Sequence, residues 1–269
     1  MIDLGFEIID LHAHLRENPQ EHLKLARDAG ISKVVAMPNT LDCLDSVEKI
    51  LDYKKRCGRF AKMVYFTSAM TIGRNGKTPA DVDKLKKIVI GFSNDGNCLD
   101  DLDILKYIFK KDVLVLAHLE PEVKMLEKYI SVYSEAGAGH LHIQHISKKE
   151  SVKIISKAKK NGLKITCEVT PHHLYYSNEF ENHQVNPPLG NIGDISALRK
   201  GLSDGIIDCI ASDYAPIPRP KNTGFASFSS FIPLCYGLVL DKTINKKQLK
   251  YLISINPMKI INSRLESKL

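Results

Sequence analysis

The residues able to do chemistry come in short clusters, each following an apolar run. Asp10-Leu11-His12-Ala13-His14-Leu15-Arg16 ends the first run, Ser93-Asn94-Asp95-Gly96 the fourth, His118 the fifth, His145 the sixth and Asp213 the eighth. Neutral imidazole and carboxylate are the ligands zinc takes outside thiolate sites. In an extended chain residues two apart point to the same side, so His12 and His14 can share one metal ion. His-x-His alone is weak evidence, and a lone His118 or His145 is more often a packed, hydrogen-bonded histidine than a ligand. The set of four imidazoles and two carboxylates, spread over the ends of different runs, is what points to a metal centre. Six ligands exceed what one tetrahedral zinc takes. They indicate two zinc ions sharing a bridging carboxylate and a hydroxide.

Something must bring these clusters to one place. The apolar runs read as strands over Glu7–Leu11, Lys33–Ala36, Met63–Thr67, Ile88–Phe92, Val113–Ala117, Leu141–Gln144, Lys164–Val169 and Ile207–Ala211. Amphipathic segments between them read as helices over Gln20–Ala29, Asp45–Cys57, Ala80–Lys87, Leu99–Lys110, Pro121–Ala136, Lys149–Asn161 and Ile195–Asp204, with Asn161-Gly162 and Asp204-Gly205 placed as helix C-caps. Continuous apolar strands alternating with helices indicate a parallel sheet, and eight such units close a (β/α)8 TIM barrel, whose active sites lie at the C-terminal ends of the strands. No linker-like tract interrupts the pattern, so residues 1–269 are expected to form one α/β domain.

Composition narrows the class further. With 43% hydrophobic and 26% charged residues, the chain is not disordered. A net charge of +7 suits an anionic small molecule, and no dense basic tract with interleaved aromatics points to nucleic acid. The longest apolar stretch, Phe231 to Leu240, has about half the length needed to span a bilayer. Six scattered cysteines without a CxxC pair read as free thiols in a reducing cytoplasm. The stretch 216–231, rich in Gly, Ser and Pro, reads as a surface loop placed where a lid over the site would lie.

The motifs IIDLHAHLREN, VVAMPNT, FSNDG, LAHLE, HIQHISKKESV, ITCEVTPHHL, VNPPLG and IDCIASDYAP resemble, in order and spacing, those of the amidohydrolase superfamily, and within it the longer-chain bacterial dihydroorotases. A weaker match continues through Lys221-Asn222-Thr223-Gly224-Phe225. The resemblance implies a binuclear zinc enzyme that interconverts N-carbamoyl-L-aspartate and L-dihydroorotate in pyrimidine synthesis. It implies that His12 and His14 hold the first metal, His118 and His145 the second, and that Asp95 bridges them. Relatives often bridge with a carbamylated lysine, but GFSNDG has none, so Asp95 bridges alone with the hydroxide. Asp213 corresponds to the residue that binds the first metal and moves the proton. Arg16, Asn39, Asn186 and Gly224 correspond to substrate-binding positions. A homodimer and a complex with aspartate carbamoyltransferase are the partner expectations; a membrane is not one.

The sequence departs from this family at several points. Gly190 replaces the arginine of NPPLR, Tyr214 and Ile217 replace two histidines of TDHAPH, and Asn94 replaces an acidic neighbour of Asp95. Loss of the histidine at Ile217 predicts a weak grip on substrate, unless the Tyr214 hydroxyl reaches the same carboxylate. His140, His142, His172 and His173 match family positions without a ligand role and read as structural. The segments that build a small β-sandwich in relatives are expected to be absent. Two other readings stand beside the enzyme: a non-catalytic dihydroorotase-like subunit supporting aspartate carbamoyltransferase, and a cyclic amidase of the hydantoinase or allantoinase type.

Overall fold

The computed structural model describes residues 2–181, 184–216 and 224–263. Strands β1 (Ile9–Ala13), β2 (Lys33–Ala36), β3 (Val64–Ser68), β4 (Gly91–Phe92), β5 (Leu114–Ala117), β6 (His140–Ile143), β7 (Ile165–Val169) and β8 (Cys209–Ile210) pair in parallel, in chain order, as one sheet. The seam between β8 and β1 is bridged where Tyr214 pairs with Ala13 and its carbonyl accepts the His14 N–H at 2.7 Å. Asp10 ties the same seam, its carboxylate accepting from the Ser212 N–H at 2.9 Å and the Ser212 hydroxyl at 2.5 Å. The result is a nearly closed (β/α)8 barrel.

Helices α1 (Pro19–Asp28), α2 (Val47–Arg56), α3 (Val82–Leu85), α4 (Leu102–Lys110), α5 (Glu122–Ala136) and α6 (Lys149–Lys160) follow the first six strands in turn. A short α7 (Pro171–Tyr175) follows β7 and precedes α8 (Ile192–Ser203), and α9 (Phe228–Leu240), α10 (Lys246–Lys250) and α11 (Asn256–Asn262) come after β8. Ser46 and Asp101 cap α2 and α4, and Asn191 with Asp194 forms a capping box at α8. Gly162 and Gly205 follow α6 and α8 in left-handed conformations, as the sequence indicates.

Strand alternation sorts the core into two layers. Leu114 and Leu116 of β5 face a lumen cluster with Ile9, Leu11, Val35 and Cys209, whereas Val115 and Ala117 pack outward against the helices. Ile260 and Ile261 of α11 join the lumen cluster, so a C-terminal helix fills one end of the barrel. Elements differ from the sequence expectation mostly at their ends: β4 and β8 are two residues each, and the helix read over Ala80–Lys87 narrows to α3. The apolar stretch Phe231–Leu240 belongs to α9, whose Phe231, Cys235 and Leu238 are buried against the core. Among the described residues no helix is long and apolar enough to cross a membrane.

Candidate metal centre

Alternation alone does not aim every candidate ligand. The β1–β2 pairing shifts register between Asp10 and Ala13, an irregularity of the kind that re-aims side chains, and His12 and His14 both turn to one centre. In β6 the outward residues are Leu141 and Ile143, so parity would send His145 outward as well. A left-handed backbone at His145 (φ 30°) breaks that parity and brings the ring in. Asp213 (φ 45°) and Arg16 (φ 47°) have the same unfavourable conformation. Non-glycine residues adopt it at a cost, and such strain gathers at functional sites.

The result is two overlapping triads, His12–His14–Asp213 and His12–Asp95–His145, whose potential ligand atoms lie within 4.8 Å of one another in each. All of these residues are buried. His12 Nε2 lies 2.8 Å from Asp95 Oδ2 and 3.4 Å from Asp213 Oδ1, and His14 Nε2 lies 3.0 Å from Asp213 Oδ1 and 3.6 Å from Asp95 Oδ1. His118 joins through His145, its Nδ1 2.9 Å from His145 Nε2. All six candidate ligands therefore gather at the C-terminal mouth of the barrel.

The other ring nitrogens show how these imidazoles are oriented. Glu168 accepts from His12 Nδ1 at 2.7 Å, and Asn39 Oδ1 accepts from His14 Nδ1 at 2.6 Å. In the neutral form, with both Nδ1 atoms occupied as donors, each Nε2 presents its lone pair to the centre. Asp95 Oδ2 is buried without a hydrogen-bond partner, although His12 Nε2 is close. Two facing lone pairs are satisfied by a shared cation, which is what this donor set fits.

The carboxylates set the charge on the rings around them. Burial works against a charged His12, but the Asp95 and Asp213 carboxylates and its contacts with Asp95 and Glu168 outweigh that and hold its pKa well above the histidine range. Burial likewise opposes a charged Asp95, yet His12 and His14 hold its carboxyl well below the usual range. Burial, with His118 and His12 beside it, keeps His145 neutral. Metal takes neutral imidazole and ionised carboxylate, so a cation bound here would replace the proton that the carboxylates favour on His12.

The expected substrate residues line the same mouth. Arg16 Nη1 donates to the Asn39 carbonyl at 3.0 Å, leaving the rest of its guanidinium fork unassigned. Asn186 Nδ2 donates to Glu120 Oε2 at 3.1 Å, and the same oxygen lies 3.7 Å from His118 Nε2. A Cβ at Gly224 would come 2.4 Å from the Ala215 carbonyl, so only glycine allows this segment to pack beside the Asp213 loop. Gly190 has no room for the family's arginine as the chain stands. A Cβ there would lie 2.6 Å from Asp194 Cβ, inside the α8 capping box. The Tyr214 hydroxyl, the alternative donor to the substrate carboxylate, bonds His22 Nδ1 at 2.8 Å, and its ring stacks on Phe228 at 3.7 Å. Ile217 and the segment 217–223 lie outside the described residues.

Sequence reasoning passed over Glu168. It is fully buried, and His12 and His142 both donate to it, the latter from Nε2 at 3.0 Å. Burial would raise its pKa, but these two donors outweigh that and hold it at about 2. The available signal was a carboxylate inside the apolar run Ile165–Val169, at the parity that faces the lumen. His142, read as structural, is thereby linked to the site through Glu168.

An eight-stranded parallel barrel with imidazoles and carboxylates gathered at its mouth is the architecture of the amidohydrolases, a class of metal-dependent hydrolases. No protein-family model matches the chain. Among curated relatives, the dihydroorotase of Elusimicrobium minutum is 31% identical over 94% of this chain and 71% of its own length. That of Bacillus cereus is 32% identical over 93% and 71%, and that of Aquifex aeolicus 30% over 94% and 72%. The chain belongs to the dihydroorotase family. Solved structures share the fold: Saccharomyces cerevisiae dihydroorotase in complex with 5-fluoroorotic acid (TM-score 0.82, 18% identity, 97% of this chain and 85% of that one) and Arthrobacter aurescens L-hydantoinase (0.82, 17%, 97% and 73%). So does the inactive dihydroorotase-like domain of a Chaetomium thermophilum CAD-like multifunctional protein (0.73, 19%, 95% and 79%).

Proposed function

We propose that this chain is a dihydroorotase, a cyclic amidohydrolase interconverting N-carbamoyl-L-aspartate and L-dihydroorotate in pyrimidine biosynthesis. Family membership supports the reaction. The observation that carries it is the gathering of His12, His14, Asp95, His118, His145 and Asp213 at the barrel mouth, with Glu168 and Asn39 orienting two of the rings.

The ligand set suits two zinc ions. His12, His14 and Asp213 would hold one, His118 and His145 the other, and Asp95 would lie between them. Divalent ions there supply Lewis acidity toward the ring amide carbonyl and make water acidic enough to attack at neutral pH. Asp213, beside His14 Nε2, accepts the proton of the attacking water and returns it to the departing ring nitrogen. Arg16 offers a planar fork matched to the substrate carboxylate. Asn39 spends its oxygen on His14 and keeps its N–H groups for the substrate, and Asn186 keeps its oxygen. Gly224 lets the segment after the Asp213 loop close beside this mouth.

The substrate is a small anion. A cytoplasmic location accords with six free cysteines. Self-association into a homodimer and a complex with aspartate carbamoyltransferase are the assemblies this reading carries, and gel filtration with and without that enzyme tests both. A second reading, a dihydroorotase-like subunit without catalysis, is favoured by Gly190, which excludes the family's arginine. The full set of buried candidate ligands, two of them oriented by Glu168 and Asn39, opposes it. Steady-state assays of zinc-loaded protein on dihydroorotate, hydantoin, allantoin and N-carbamoyl-aspartate decide among the readings. Turnover of dihydroorotate and its reverse supports the proposal, and preference for another ring, or no turnover, overturns it.

A further inference from the structure

Arg74 lies in the turn after β3, outside every role assigned so far. Its backbone is left-handed (φ 56°), and the turn is pinned from several sides. The Arg74 N–H donates to the Thr71 carbonyl at 2.9 Å, and the Gly73 N–H donates to the buried Asp45 carboxylate at 2.7 Å. The same turn is stitched to the loop that carries Asp95. Asn94 Oδ1 accepts from the Met70 N–H at 3.0 Å, its Nδ2 donates to Thr71 Oγ1 at 3.1 Å, and Asn97 Nδ2 donates to the Arg74 carbonyl at 3.4 Å.

The guanidinium completes this clamp. Arg74 Nη1 donates to the Asp95 main-chain carbonyl at 2.5 Å, while Nε is buried without a hydrogen-bond partner. A Cβ at Gly96 would lie 3.3 Å from Arg74 Nη1 and 3.5 Å from Asn39 Nδ2, so the guanidinium and the carboxamide converge over this glycine. Among the described residues no carboxylate pairs with Arg74. A half-buried cation held by a main-chain carbonyl and the Cys43 thiol, with Nε unsatisfied, is a costly choice for a role in packing alone.

We propose that Arg74 is a positioning residue for Asp95: by fixing the Asp95 peptide it sets the carboxylate between His12 and His145. This rests on the reading of that cluster as a metal centre. Its effect therefore passes through metal affinity and kcat, not through substrate binding.

The test uses Arg74→Met, which keeps the aliphatic stem and removes the donors, and Arg74→Lys, which restores one donor and the charge. Zinc affinity is read by competition with a chromophoric chelator, without substrate, beside kcat, KM and the thermal midpoint of the chelated protein. Removing a partner that orients a ligand costs about 10–100-fold in metal affinity or activity. The expected result is a loss of that size in zinc affinity and kcat for Arg74→Met, KM within about threefold, an unchanged midpoint and partial recovery in Arg74→Lys. Unchanged zinc affinity in a folded Arg74→Met overturns the proposal. So does a rise in KM alone, which would place Arg74 on the substrate, or equal loss of midpoint and affinity in both variants, which would make it structural. Zinc affinity is read without substrate, so a wild type that binds zinc but leaves dihydroorotate intact would sink the function and leave this proposal standing.

Discussion

Glu168 accepts the His12 Nδ1–H at 2.7 Å from a fully buried position, and that single bond decides which nitrogen of His12 faces the site. Glu168→Gln keeps the shape but removes the charge and leaves one of its two imidazole donors facing an N–H group. Zinc affinity is expected to fall about 10–100-fold, with the remaining activity shifted to higher metal concentration. Chelator-competition titration checks this, and wild-type affinity in the variant would show that His12 keeps its orientation without Glu168.

Asp213 is both a candidate ligand and the proposed proton carrier. Asp213→Asn retains a coordinating oxygen and loses the base, so turnover should drop by at least about 10²–10⁴-fold while most of the metal stays. Metal content and kcat measured on the same preparation separate the two roles. Near-normal turnover in the variant would assign the proton to another group.

The fit of Gly190 against Asp194 makes a prediction about the family's missing arginine. Gly190→Ala forces a Cβ to within 2.6 Å of Asp194 Cβ and disturbs the α8 capping box. Overpacking of this kind costs about 1–3 kcal/mol, read as a lower urea midpoint at unchanged m-value. Gly190→Arg should therefore destabilise the chain without lowering KM.

His140 supplies a pH test away from the metal ligands. Burial, with His142 and Lys159 nearby, lowers its pKa to about 4 from 6.5, while its Nε2 is 2.8 Å from Thr166 Oγ1. Between those values the unfolded chain binds the proton and the folded chain does not. The stability contribution is thus complete above about pH 6.5 and lost as pH falls toward 4. It amounts to at most about 3 kcal/mol. Urea midpoints of chelated protein across this window should fall less steeply in His140→Gln than in the wild type, and parallel slopes would contradict the shift.

The barrel was legible because buried parallel strands are written as continuous apolar runs, and the gathering of the candidate ligands because they end those runs. What was not legible depends on departures from regular geometry. Nothing in a two-residue period announces that a left-handed turn at His145 reverses its direction, or that β1 shifts register between Asp10 and Ala13. Glu168 was hidden because its strand reads by its apolar neighbours, although a carboxylate at lumen parity was the available cue. The partner of Tyr214 was not legible because His22 lies far away in sequence and only the closed barrel brings them to 2.8 Å.

The most direct test is zinc titration of chelated protein, followed by hydrolysis of L-dihydroorotate. Turnover should be absent without metal, rise with added zinc and reach its plateau near two equivalents per chain. Protein that takes up zinc yet leaves dihydroorotate unhydrolysed, or that turns it over equally well after chelation, would contradict the account.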